Sequence, residues 1–224
     1  MKQGPKLVVF DVDGTLVDSQ DHIVTAMAEA FLVAGCPEPH RTAVLGIVGL
    51  SLPEAIANLA HDQTAAVQAR IVTHYKQTFT ANSPTRIAPL YPGARDTLDD
   101  LMARPGILLG VATGNSRRGL TRVLGSHGLT GMFATSQVAD DHPSKPDPSM
   151  LRAAMDETGV AADQAVMIGD TSYDMEMGCA AGMHTIGVVW GYHPAETLRQ
   201  AGAGDVVDSF VALRRVLARK WGLS

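Results

Sequence analysis

No stretch of the chain approaches the roughly 18 consecutive apolar residues of a membrane-spanning helix. The N-terminal MKQGPK is basic, but the apolar run behind it is cut off by Asp11 after four residues, too short for the core of a signal peptide. A cytoplasmic location is the expectation. There is also no block of five or more Lys/Arg, and the net charge is −5. The electrostatic footprint of a nucleic-acid or anionic-membrane binder is therefore missing, and a small molecule is the expected partner. Cysteine is scarce: Cys36 and Cys179 are the only two, far apart and without C-x-x-C spacing. They read as structural thiols rather than zinc or redox ligands. Internal repeats and low-complexity tracts are absent as well.

What is present is a chain of 224 residues, 46% hydrophobic, enough for a large core with a smaller companion. Its organising stretch is KLVVFDVDGTLVDS, Lys6 to Ser19. Apolar Leu7 to Phe10 run straight into Asp11 and Asp13, then Gly14 and Thr15. This reads as a buried strand ending in a reactive tip. Carboxylates buried there cost several kcal/mol unless a cation or aimed donors compensate them.

Ser19 predicts a helix N-cap, with Ile23, Met27, Phe31 and Ala34 at helical spacing until Gly35 and Pro37. Ser51 and Glu54 spell a capping box around Pro53. Val67, Ile71, Tyr75 and Phe79 stand on one face of a further helix. Residues 18–84 thus read as all-helical. From Ser83, prolines mark a boundary, followed by a helix over 94–102. Four further strand and helix units follow, with strands at 107–113, 133–138, 165–169 and 185–189, and an edge strand at 205–207 precedes a last helix over 210–221. That rhythm predicts a doubly wound parallel α/β sheet with an inserted helical domain. The predicted division is a core of residues 1–17 and 85–224 and a helical domain of 18–84.

In such sheets ligands sit beyond the carboxyl ends of the strands. Those ends carry Asp11 and Asp13, Thr113-Gly114-Asn115, the loop with Lys145, and Asp170 with Asp174 four residues on. Several carboxylates without His or Cys suit a hard divalent cation, magnesium being the usual case. Lys145, between the prolines of HPSKPDP, reads as a counter-charge for an anion, and the helix start after Gly114 offers N–H donors for phosphate. For Asp18, Asp140 and Asp141 a cap or turn suffices, and Arg117 and Arg118 read as a solvated helix face.

Together these residues resemble the haloacid dehalogenase superfamily of phosphohydrolases. Its four motifs stand in order as DVDGT (11–15), VATGN (111–115), SKPDP (144–148) and IGDTSYD (168–174). The resemblance implies a Rossmann-like core with a helical cap of the kind found in phosphoglycolate phosphatases and β-phosphoglucomutases. It implies that Asp11 is the nucleophile, Asp13 the general acid and base, and Lys145, Thr113, Gly114 and Asn115 the phosphoryl holders. Magnesium would be bound by Asp11, Asp13 and Asp170, with Asp174 close by. The expected activity is hydrolysis of a small phosphate monoester, 2-phosphoglycolate first, through an aspartyl-phosphate. Asp13 speaks against the dehalogenase branch, which lacks an aspartate at that position. A sugar phosphomutase shares all four motifs and is the nearest alternative. A receiver-type signalling domain or a non-catalytic phosphate-binding module is more distant.

Overall fold

The five residues of strand β1, Lys6–Phe10, are all buried, and the chain's architecture grows around them. Side chains alternate across a strand. Val8 and Phe10 enter one apolar cluster, while Leu7 and Val9 enter another on the opposite face. Both faces are covered, which is why the strand reads as an unbroken apolar run. Burial of each large apolar side chain is worth about 1.5–3 kcal/mol, enough in sum to carry a carboxylate tip costing several kcal/mol.

The computed structural model describes residues 4–81 and 87–222. Strands β2 (Ile107–Thr113), β3 (Thr135–Val138), β4 (Ala165–Gly169), β5 (His184–Val188) and β6 (Asp205–Val207) join β1 in one sheet of order β3-β2-β1-β4-β5-β6. Every pairing is parallel. Connections from β1 lead to one side and those from β4 to the other, so the topological switch point lies between these two neighbours. Phe10 pairs with Ile168, which brings Asp11 and Asp170 out side by side.

Four helices lie between β1 and the rest of the sheet: α1 (Gln20–Val33), α2 (Arg41–Leu45), α3 (Leu52–Leu59) and α4 (Ala65–Ala81). Met27, Phe31, Ile56 and Ile71 belong to a third apolar cluster, against which Val67 and Tyr75 pack. The expected stripe on α4 is thus present through Tyr75. The Phe79 side chain and the predicted boundary at 84/85 lie outside the described residues. On the sheet stand α5 (Ala94–Met102), α6 (Arg117–Ser126), α7 (Ser149–Thr158), α8 (Ser172–Ala180), α9 (Ala195–Gln200) and α10 (Phe210–Trp221).

Three details differ from expectation. Ser51 is the N-cap of α3, but its side chain makes no cap hydrogen bond; its backbone N–H donates to Ser144 Oγ at 2.8 Å, tying the helical layer to the loop of Lys145. Ser19 likewise caps α1 by position only, because its hydroxyl is engaged by Asp13. Helix α8 starts two residues before the expected Asp174. Thr171 is its N-cap, and Asp174 closes a reciprocal capping box. The short α2 and α9 each bury a single side chain, Val44 and Leu198, too little to print a periodicity on the sequence. Among the described residues no helix is long and apolar enough to cross a membrane.

Candidate active site

Parallel strands ending side by side deliver the expected residues to one rim. Asp11 leaves β1 with its N–H donating to the Ile168 carbonyl of β4 at 2.9 Å. Asp170 follows β4, and its Oδ1 accepts from Thr15 Oγ1 at 2.8 Å while Oδ2 accepts from the Tyr192 N–H at 2.9 Å. Lys145, buried despite its charge, reaches Asp11 Oδ1 at 2.7 Å and Asp174 Oδ1 at 2.6 Å. The second oxygen of Asp174 accepts from the Thr171 N–H at 3.1 Å and from Thr171 Oγ1 at 2.7 Å. Gly14, at φ +88°, makes the turn behind Asp13 possible, and a Cβ on it or on Gly191 would collide with the Asp170 carboxylate.

The electrostatics are short of positive charge. Asp11, Asp170 and Asp174 are buried, and each presents an oxygen within 4.8 Å of the others. Burial pushes Asp11 up to about 7, with Lys145 opposing and Asp174 adding to the rise. Asp170 is held well above the usual carboxylate range by burial, then by Asp11 and Asp174. Burial pulls the Lys145 ammonium down, yet Asp11 and Asp174 together raise its pKa, so it stays charged. One ammonium faces three carboxylates, and Asp11 Oδ2 is buried with no hydrogen-bond partner. An orphaned oxygen in a set of oxygen donors without His or Cys is what a hard divalent cation requires. The residues present fit that ion.

Asp13 stands beside this cluster but in a different setting. Ser19 Oγ donates to its Oδ1 at 2.5 Å and Asn115 Nδ2 to its Oδ2 at 2.6 Å. Desolvation raises its pKa, and the Ser19 and Asn115 hydrogen bonds oppose the rise. Asn115, expected as a phosphate holder, thus spends its side-chain donor on Asp13. Thr113 is buried at the end of β2, where its hydroxyl accepts from the Asn115 N–H at 3.2 Å. Gly114 is covered by the carbonyls of Gly49 and Leu50.

A cavity of about 70 Å³ lies over this rim. Asp11, Asp13, Thr113 and Asn115 form its floor, and Ile23, Met27, Leu52 and Tyr75 of the helical layer face them. The layer is tied down at Gly46, whose carbonyl accepts from Tyr173 Oη at 3.0 Å and contacts His193 Nε2 at 3.3 Å. Arg117 is engaged away from the cavity: its N–H donates to Asp140 at 2.8 Å and its guanidinium pairs with Asp141 at 2.6 Å. Asp140 and Asp141 are therefore the cap and turn residues they read as.

Two features of the site have no counterpart among the expected residues: Ser19 as a partner of Asp13, and the whole segment after β5. Tyr192 Oη lies 2.9 Å from Ser19 Oγ while its backbone steadies Asp170. Nothing in a lone WGYH could announce this, since an aromatic after an apolar strand is ordinary core.

Residues 8–188 match the family model described as haloacid dehalogenase-like hydrolase. Among curated relatives, a phosphoglycolate phosphatase of Rhodospirillum rubrum is 36% identical over 227 residues, covering 93% of this chain and 89% of the relative. A probable phosphatase IndB of Dickeya dadantii is 34% identical over 211 residues, covering 91% and 90%. Among solved structures, a predicted phosphatase from Clostridium acetobutylicum superposes with a TM-score of 0.86 at 24% identity, covering 97% of this chain and all of the other. A putative β-phosphoglucomutase from Bacteroides vulgatus gives 0.83 at 23% identity, covering 98% and 90%.

Proposed function

The chain belongs to the haloacid dehalogenase-like hydrolases and is a phosphatase; from that premise we propose that it hydrolyses a small phosphate monoester, 2-phosphoglycolate first, with magnesium, through an aspartyl-phosphate on Asp11. The observation that carries this reading is Lys145, buried and shared between Asp11 and Asp174 while Asp11 Oδ2 is left without a partner. A carboxylate held by one oxygen and bare at the other is built to be used. The curated relative named phosphoglycolate phosphatase supports the substrate.

In this mechanism an oxygen of Asp11 attacks phosphorus, the bond to the leaving oxygen breaks, and Asp13 gives its proton to the departing alcohol. The raised pKa of Asp13 favours the protonated form that this step needs. Asp13, now ionised, takes a proton from water as that water attacks phosphorus, the bond to Asp11 breaks, and phosphate and the free carboxylate return. Lys145 holds Asp11 in line, and Thr113 with the backbone N–H groups of Gly114 and Asn115 receives the phosphoryl oxygens. Asp11, the Asp13 carbonyl and Asp170 would hold the magnesium. Asp174, whose two oxygens already accept from Lys145 and Thr171, serves as anchor of Lys145 and as a nearby charge. When bound, the cation offsets the negative charge gathering on the phosphoryl group and Asp11. Residues 18–84 act as a cap over the core of 1–17 and 85–224, closing the cavity against water. The direct test is a panel of phosphate monoesters with magnesium, reading free phosphate and isomerised sugar phosphate side by side. Isomer without net phosphate release would replace this reading with a mutase.

Two further results are expected. Without metal, the folded chain holds a proton on Asp11 up to about pH 7, whereas the unfolded chain releases it near 3.8. Between those values the folded state binds more protons, so stability falls as pH rises through that window. Magnesium removes the penalty. Thermal melting should therefore show a rise of about 5–10 °C on adding saturating magnesium at pH 8 and a much smaller rise at pH 5. The second concerns Gly191→Ala, which pushes a methyl into Asp170. It should weaken magnesium affinity by about 10–100-fold, read by titrating activity with the metal, while p-nitrophenyl phosphate KM at saturating magnesium changes little.

A further inference from the structure

Among the described residues, the cavity over Asp11 is lined by no Lys, Arg or His. Leu52, Tyr75, Gly114 and Asn115 also line a second, larger cavity of about 460 Å³. There the cations gather: Lys76 of α4 together with Arg118 and Arg122 of α6. Asp140 is the one acid in that lining, and its Oδ2 already accepts the Arg117 N–H at 2.8 Å.

Elementary electrostatics makes this arrangement unfavourable on its own. Arg118 and Arg122 stand four apart on one helix, a spacing at which like charges repel. Arg117 and Arg118 occupy the first turn of α6, which holds no acid, so two cations sit at the positive end of the helix dipole. Arg117 is offset by Asp141. No ion pair among the described residues engages the Arg118 guanidinium, which is exposed at the cavity. All this occurs in a chain of net charge −5. An anion in the second cavity relieves each of these strains at once, and arginine's planar fork binds carboxylate and phosphate oxygens in pairs.

We propose that the second cavity is a subsite for a second anionic group of the substrate, so that the preferred substrates are phosphate monoesters whose leaving group itself carries a carboxylate or a phosphate. The proposal rests on the phosphatase reading above and narrows its substrate class. With phosphorus at Asp11, the leaving group passes Asn115 and Tyr75 and brings its far charge to Arg118, Arg122 and Lys76. 2-Phosphoglycolate falls inside this class at its short end.

The test uses the full chain with magnesium and four probes: p-nitrophenyl phosphate and glucose 6-phosphate, whose leaving groups carry no second anion, 6-phosphogluconate with a distal carboxylate, and glucose 1,6-bisphosphate with a distal phosphate. Wild-type protein should favour at least one of the last two over glucose 6-phosphate by about tenfold or more in kcat/KM, the value of one charge-assisted contact. Whichever arm responds identifies the anion. Arg118→Glu should cancel that preference through KM, with kcat held, and leave p-nitrophenyl phosphate hydrolysis within about twofold of wild type, surface substitutions being nearly neutral to the fold. Arg122→Ala should move the same arm in the same direction. Equal kcat/KM for glucose 6-phosphate and both anionic probes in wild type overturns the subsite. So does an equal loss on all probes in Arg118→Glu, or no loss on any. Wild-type protein that hydrolyses none of the four, p-nitrophenyl phosphate included, overturns the phosphatase reading itself, a failure distinct from that of the subsite.

Discussion

Asp11→Asn should lower phosphate release by a factor on the order of 10⁴–10⁶ and leave a folded protein. The amide keeps the shape of the carboxylate, so the turn from β1 into Gly14 and the backbone bond to Ile168 survive. What disappears is the nucleophile, because an amide oxygen forms no stable ester with phosphorus. The same change removes one of three buried carboxylates, and Lys145 retains Asp174 at 2.6 Å. Metal-free Asp11→Asn at pH 8 should therefore melt no lower than wild type. Steady-state assays with p-nitrophenyl phosphate and magnesium, beside a melting curve on the same sample, read both halves. Retained turnover with an intact fold would remove Asp11 from the chemistry; a lowered melting point would mean that its negative charge supports the fold.

Lys145→Met should produce the largest loss of stability of any single change at the site, about 3–5 kcal/mol. Methionine keeps most of the aliphatic stem, so the loss reports the ammonium. Without it Asp11 and Asp174 are left as neighbouring buried anions, and both must take up protons or draw in water. The cost should be greatest at pH 8 and shrink toward pH 5, where protonated carboxyls need no counter-charge. The pair of changes gives a sharper result than either alone. In the Asp11→Asn background one of the two carboxylates that Lys145 holds is already neutral, so Lys145→Met should cost markedly less there. Equal costs in both backgrounds, measured by denaturant unfolding, would mean that Lys145 acts by packing and not by charge.

Much of this site is legible in the order of residues along the chain. An apolar run that stops abruptly at a carboxylate is readable as a strand end, and the rule for open parallel sheets then gathers Asp11, Thr113, Lys145 and Asp170 onto one rim. Lys145 shows the limit of that reasoning. A lysine between prolines is by default a surface residue, and only the sheet order reveals that its ammonium lies buried between carboxylates 134 and 29 residues away. The polar side chains that tune Asp13 are harder still to read. Ser19 has the position of a helix cap, and its hydroxyl turns to Asp13 instead. Tyr192 reaches that hydroxyl across 173 residues, a contact that belongs to tertiary packing and leaves no local pattern. Local capping rules describe what a serine can do next to a helix, and a neighbouring buried carboxylate offers it a stronger partner.

The central claim is that Asp11 carries the phosphoryl group between two half-reactions joined by Asp13. Asp13→Asn should form the aspartyl-phosphate and fail to hydrolyse it at a useful rate. Rapid quenching of that variant with an activated phosphate ester, reduction by borohydride and peptide mass spectrometry then read the claim directly. Reduction of an acyl phosphate turns aspartate into homoserine, and homoserine is expected at position 11. Homoserine at another aspartate, or none at any position while the variant releases the leaving group in a burst, would contradict it.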